Sequence, residues 1–233
     1  LPDGVINFIP GPGSKVGPNI LPSSDLAGIH FTGSTAVFHS MWKTVAENIA
    51  GYVSYPRIVG ETGGKDFCVA HESTDLDALT TCLVRGAFEY QGQKCSALSR
   101  AYIPSTIWPE VKERYAAKVE SIRMGDVEDF TNFMNAVIDK PAFDSIVDYI
   151  NFAKQSSDAE FFTGGGYDDS VGYFIEPTTI ITTDPHFKTM EEEIFGPVMS
   201  VIGFKDAEEA VAIANDSIYG LAGAVWSNNI NTA

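Results

Sequence analysis

Along the chain, apolar residues switch between two spacings: short β-branched runs, and longer stretches where they return every three or four positions. The first spacing reads as strand and the second as helix, and their alternation predicts an α/β fold around a mostly parallel sheet. Strands are expected over 5–9, 28–32, 57–60, 67–70, 100–103, 174–181, 198–204 and 223–226, and helices over 34–51, 75–90, 105–122, 141–154 and from Asp206 onward. Thr74 and Asp77 stand in capping-box spacing ahead of Leu76, Leu79, Leu83 and Ala87, and Asp206 and Glu209 repeat that spacing. Gly164-Gly165-Gly166 and Asp168-Asp169 read as turns.

Composition narrows the function classes. A chain of 233 residues can bury a sizeable core and allows one or two domains. Fifteen basic against thirty-one acidic residues give a net charge of −16, which repels a phosphate backbone and argues against nucleic acid as a partner. No run approaches the ~18 to 20 apolar residues of a membrane span, and no charged-then-apolar leader opens the chain, so a soluble piece is expected, with a targeting leader upstream of it left open. Three cysteines make no disulfide framework and point to a reducing compartment, with Cys68 and Cys82 read as core. The start at Leu1 and the end at Ala233 read as the limits of an excised piece.

The candidate chemistry centres on Cys95, in Glu89-Tyr90-Gln91-Gly92-Gln93-Lys94-Cys95-Ser96-Ala97, where a cysteine adjoins a cation in a small-residue loop after a helical segment. A thiol attacks only as thiolate, and neighbouring positive charge favours that form. A free cysteine is also among the most buried residue types, so the loop by itself leaves a packed cysteine open. Glu61-Thr62-Gly63-Gly64-Lys65 upstream and Glu191-Glu192-Glu193-Ile194-Phe195-Gly196-Pro197-Val198 downstream each pair carboxylates with backbone-permissive glycine. Gly33-Ser34 precedes a predicted helix, where backbone donors and a hydroxyl favour a phosphate.

Together with Phe31-Thr32-Gly33-Ser34-Thr35, and in this order, these segments resemble the aldehyde dehydrogenase superfamily. Gly60 to Phe67, Ala87 to Ser96 and Asp168 to Phe174 are similar in particular to its branch of pyrroline-5-carboxylate, or glutamate semialdehyde, dehydrogenases. The resemblance implies an aldehyde dehydrogenase-like α/β fold. Residues 1–60 would be the C-terminal half of a Rossmann-like NAD-binding domain, and 61–233 an α/β catalytic thiol domain incomplete at its C-terminus. It implies NAD as cofactor, a small acidic aldehyde as substrate, no metal, and a homo-oligomer in the bacterial cytoplasm or the mitochondrial matrix. NAD-dependent oxidation of glutamate semialdehyde to glutamate, in proline catabolism, is the function this implies.

Residue roles follow from the same resemblance. Cys95 would be the nucleophile, whose thiohemiacetal can expel hydride to nicotinamide and leave a thioester still labile to water. Glu61 would be the base for that water, its pKa expected to rise among apolar neighbours such as Val59. Gly33 and Ser34 would meet the cofactor phosphates, and Gly11 to Gly17 would form the loop near the adenine. Glu193 would bind the nicotinamide ribose, and Phe195 would lie beside the ring. Lys94 and Ser96, flanking the thiol, would meet the substrate carboxylate, although Lys94 could equally tune the thiol or face solvent. Phe88 could line the aldehyde tunnel or belong to the core. An oxyanion-hole asparagine and the main carboxylate-anchoring loop would lie outside these 233 residues, so the piece alone is expected to be severely impaired. Three alternatives stay open: an aldehyde dehydrogenase of other specificity, a noncatalytic assembly module, and a thioesterase-like hydrolase.

Overall fold

The computed structural model describes residues 1–232, which form two compact units, Leu1–Gly63 and Gly64 onward. They divide three residues beyond the expected boundary at Glu61, in the middle of the Gly63-Gly64 pair.

The first unit contains α1 (Gly13–Ile20), β1 (Gly28–Thr32), α2 (Thr35–Glu47) and β2 (Arg57–Glu61). β1 and β2 pair in parallel, from Gly28 opposite Arg57 to Thr32 opposite Glu61. α2 lies against them through Phe38, which stacks on Phe31 at 6.0 Å and faces Gly60 so closely that a methyl group there would strike the ring. Val45 is the one buried residue among the described residues of this unit, so it encloses almost no core of its own. Two expectations are corrected here. Residues 5–9 form no strand: no strand of the unit pairs with them, and Pro10 and Pro12 follow directly. The expected loop at 11–17 is largely the helix α1, entered from extended Pro12 and carrying Pro18 inside it.

The second unit contains β3 (Asp66–Ala70), α3 (Leu76–Phe88), β4 (Leu98–Pro104), α4 (Trp108–Glu120), α5 (Lys140–Lys154), β5 (Ala159–Thr163), β6 (Tyr167–Asp168), β7 (Phe174–Ile175), β8 (Thr178–Thr182), α6 (Lys188–Glu191), β9 (Val198–Phe204), α7 (Ala207–Asn215) and β10 (Gly223–Trp226). Six strands make one sheet in the order β10-β3-β4-β9-β8-β5, parallel except for the last pair. The central strands are apolar on both faces because each face is covered by helices. On β9, Val198, Ile202 and Phe204 meet Ile146 and Ile150 of α5 and Ala210 and Ala214 of α7, while Met199 and Val201 belong with Leu79 and Leu83 of α3 and Val111 and Tyr115 of α4. This alternation is the two-residue period of a strand.

Local chemistry accounts for the remaining departures. Asp75, not Thr74, caps α3, its carboxylate accepting the Ala78 N–H at 2.8 Å. Asp206 caps α7 in the expected register, accepting from the Glu209 N–H. The single strand expected over 174–181 is two, because Pro177 has no N–H to give a ladder. β7 pairs instead with β6, which takes Asp168 out of the expected turn. β5 was not foreseen; its antiparallel place at the edge needs only five residues of mixed character. Phe88 is fully buried and belongs to the core.

Candidate active site

α3 ends in a reversal of backbone hand. Its last residues, Ala87 and Phe88, are buried, and the chain then takes Tyr90, Gln91 and Gly92 through φ of 55°, 58° and 66°. Only Gly92 adopts that region without steric cost; for Tyr90 and Gln91 it costs on the order of 1–2 kcal/mol each and has to be held by contacts. The contacts are visible. The buried Gln91 side chain accepts the Asn135 N–H at 3.1 Å and donates to the Ala136 carbonyl at 3.2 Å, and Gln93 Oε1 accepts the Ile138 N–H at 2.9 Å. A turn follows, closed by the Ala97 N–H on the Lys94 carbonyl at 3.1 Å, with Cys95 and Ser96 at its corners and β4 leaving at Leu98. Cys95 is a half-buried free thiol, and Ser96 is exposed.

Glycines bring the distant motifs onto this loop. A methyl group at Gly64 would run into the Cys95 carbonyl oxygen, and one at Gly92 into the Gly196 carbonyl oxygen. Gly196 in turn has no room for a methyl group beneath Ile146 of α5. The Gly64 N–H donates to Glu193 Oε1 at 2.9 Å, leaving Oε2 to accept from another group. Thus Gly64, the cysteine loop and the Glu193-to-Gly196 segment meet through two close backbone contacts and the Glu193 carboxylate. Phe195, between the last two contacts, is 46% exposed and sits at φ 56°, a left-handed position that a bulky residue holds only when its surroundings impose it.

Beneath lies a buried set of charges that sequence reasoning missed. Lys65 is 1% exposed and its Nζ has no hydrogen-bond partner among the described residues. Burial, and then the Arg100 guanidinium, pull its pKa down from 10.5 to about 7, against the pull of Glu193 and Glu192. Arg100, also buried, donates to the Lys65 carbonyl at 2.8 Å and the Tyr102 hydroxyl at 3.0 Å, and lies over the Phe67 ring. Asp66 accepts the Ala222 N–H on Oδ1 at 3.0 Å, and burial raises its carboxyl pKa. The segment Gly64-Lys65-Asp66 is therefore fixed residue by residue, and its unpaired ammonium lies in the field of Arg100, Glu193 and Glu192. No sequence pattern announced this beyond a lysine inside a motif.

Lys94 is not free beside the thiol: its Nζ lies 3.5 Å from Glu89 Oε2, with both side chains nearly half exposed. Cys68 is buried and its thiol is pushed up to about 12, which makes it inert, whereas Cys82 is only half-buried. No group of three His, Cys, Asp or Glu placed to hold a metal ion occurs among the described residues. None of their helices is long and apolar enough to cross a membrane.

In the first unit, Ser34 caps α2, its Oγ accepting the Val37 N–H at 3.3 Å, so its own proton stays available to an acceptor at the helix N-terminus. Gly33 donates to the Glu61 carbonyl at 3.1 Å, which puts the turn before α2 and the end of β2 side by side. Glu61 is exposed within its unit and Val59 is 56% exposed, so residues 1–63 do not provide the apolar enclosure expected around that carboxyl.

Residues 1–233 match the aldehyde dehydrogenase family. The chain belongs to it. Among relatives of this aldehyde dehydrogenase family chain, the mitochondrial delta-1-pyrroline-5-carboxylate dehydrogenase of Dictyostelium discoideum is 52% identical over 97% of the chain. The human mitochondrial enzyme of the same name is 42% identical over 98%. The chain spans 42% and 41% of the length of these two relatives. The delta-pyrroline-5-carboxylate dehydrogenase from Mycobacterium tuberculosis bound with NAD matches all of the chain and 43% of its own, with a TM-score of 0.90 and 46% identity.

Proposed function

We propose that this chain carries the thiol machinery of an NAD-dependent pyrroline-5-carboxylate dehydrogenase, which oxidises glutamate semialdehyde to glutamate. The observation that carries the reading is the meeting of Gly64, the Cys95 loop and the Glu193-to-Gly196 segment, through two backbone contacts that leave no room for a side chain and a hydrogen bond to the Glu193 carboxylate. The names of the relatives supply the substrate class.

In this reading the Cys95 thiolate adds to the aldehyde carbon, forming a carbon–sulfur bond and an oxyanion that the Cys95 N–H helps to stabilise. NAD, when bound, supplies the acceptor for the hydrogen and electron pair that leave that carbon. A thioester on Cys95 remains, and Glu61 takes a proton from the water that attacks it, releasing the acid and the thiol. Each unit by itself offers groups that suit part of a dinucleotide: in the first, a helix N-terminus with a free hydroxyl proton at Ser34 for a phosphate; in the second, a carboxylate oxygen left open on Glu193 for a ribose hydroxyl, and an exposed ring at Phe195. Lys94 and Ser96, both exposed and flanking the thiol, are the contacts proposed for the substrate carboxylate. The same reading makes the whole protein a homo-oligomer.

The test is steady-state NADH formation by the full-length polypeptide with glutamate semialdehyde and with simple aliphatic aldehydes. Cys95→Ser should lower turnover by a factor of about 1,000 or more, in line with the loss of an activated nucleophile. Equal rates with both aldehyde classes would remove the branch assignment, and an active Cys95→Ser variant would remove the mechanism.

A further inference from the structure

We propose that the side-chain amides of Gln91 and Gln93 act as positioning residues for Cys95, clamping the nucleophile loop onto the backbone of residues 135–138. The proposal rests on Cys95 being the nucleophile. Its basis is geometric: three hydrogen bonds from two side chains fall on Asn135 N–H, Ala136 C=O and Ile138 N–H, all within a stretch of four residues. Gln91 spends both ends of its amide in this way while 94% buried and holding a left-handed backbone. Gln93 lies two residues before the thiol, on the far side of Gly92.

The anchor is itself held. The Asn135 side chain donates to the Gly125 carbonyl at 2.9 Å, and the Val137 N–H donates to the Tyr173 carbonyl at 2.9 Å. The Tyr173 ring packs 5.9 Å from Phe143 at the start of α5. Tyr173 belongs to the Asp168-to-Phe174 motif, to which no part of the chemistry above gives a role. The clamp gives it one: that segment backs the strip of chain to which the nucleophile loop is tied. α5 then supports the loop twice, through Phe143 behind the anchor and through Ile146 against Gly196.

The left-handed pair Tyr90 and Gln91 relaxes when its ties are cut, and a displacement of about 1 Å at a reacting atom is enough to cost about a hundredfold in rate. Gln93 is the cleaner probe because it is only half-buried and its carbonyl oxygen alone reaches the anchor. In the full-length polypeptide, Gln93→Leu should lower kcat by about a hundredfold with the KM for NAD within about threefold of the parent. Gln93→Glu keeps an oxygen acceptor for the Ile138 N–H and should stay within about threefold of the parent kcat. Gln91→Ala should lose at least as much as Gln93→Leu.

The clamp is overturned if Gln93→Leu and Gln91→Ala keep the parent kcat, or if Gln93→Glu falls as far as Gln93→Leu. It is overturned equally if Gln93→Leu melts early and loses kcat and NAD binding together, because the loss is then one of folding. A parent protein with no turnover and a thiol inert to iodoacetamide would instead defeat the functional reading, and the clamp with it.

Discussion

Lys65 concentrates the electrostatic character of the site in one side chain. Its ammonium is sealed from water with no partner atom, and its pKa near 7 lies well below the ordinary lysine value. The folded chain therefore releases a proton that the unfolded chain keeps between about pH 7 and about pH 10.4, and stability rises with pH across that window. Below about pH 7 both states are protonated and the cost of the buried charge is present in full. Each pH unit inside the window is worth up to about 1.4 kcal/mol. Urea midpoints between about pH 7 and pH 8.5 should climb for the parent and stay level for Lys65→Met, which should also be the more stable of the two at pH 7. A parallel climb in both would show that some other group titrates. A sequence gives no hint of this state, because burial comes from the fold and the charges that act on the ammonium, Arg100 and Glu193, lie far off in the chain.

Elements obeyed local rules wherever local chemistry was sufficient. The helices α3, α4 and α5 and the strands β3, β4 and β9 lie within a few residues of their predicted places, because buried faces impose a period on the sequence. Prediction failed where an element's existence depends on a partner: residues 5–9 have none in their unit, and the short edge strand β5 exists only through β8. The loop at the end of α3 belongs to the second class. Gly92 is required both by its φ of 66° and by its contact with the Gly196 carbonyl, so Gly92→Ala should destabilise the fold by at least about 2 kcal/mol. Chemical denaturation measures this, and a variant as stable as the parent would mean that the two loops do not meet as described. Gly4 also has positive φ but meets nothing within reach of a methyl group, so alanine there should incur the conformational part alone.

Charge is a property of the molecule as a whole. A net charge of −16 works against compactness, and the ion pairs that could offset it, such as Lys43 with Glu47 and Lys140 with Asp144, are exposed and individually weak. Raising ionic strength from about 0.01 M to about 0.15 M shortens the screening length from ~30 Å to ~8 Å, and the melting temperature should rise by roughly 2–4 °C. A fall would mean that attraction, not repulsion, dominates the surface. What could be read from residue order was whatever depends on near neighbours: the α/β alternation, the Asp206 cap, the glycine-rich motifs and the choice of Cys95 as suspect. Folding alone settled what depends on residues remote in the chain. It put Gly64 on Cys95 and Gly92 on Gly196, tied Gln91 and Gln93 to residues 135–138, and buried Lys65 beside Arg100. The reason is that hydrogen-bond partners and desolvation arise from contacts across many residues, and a linear pattern carries no distances between such residues.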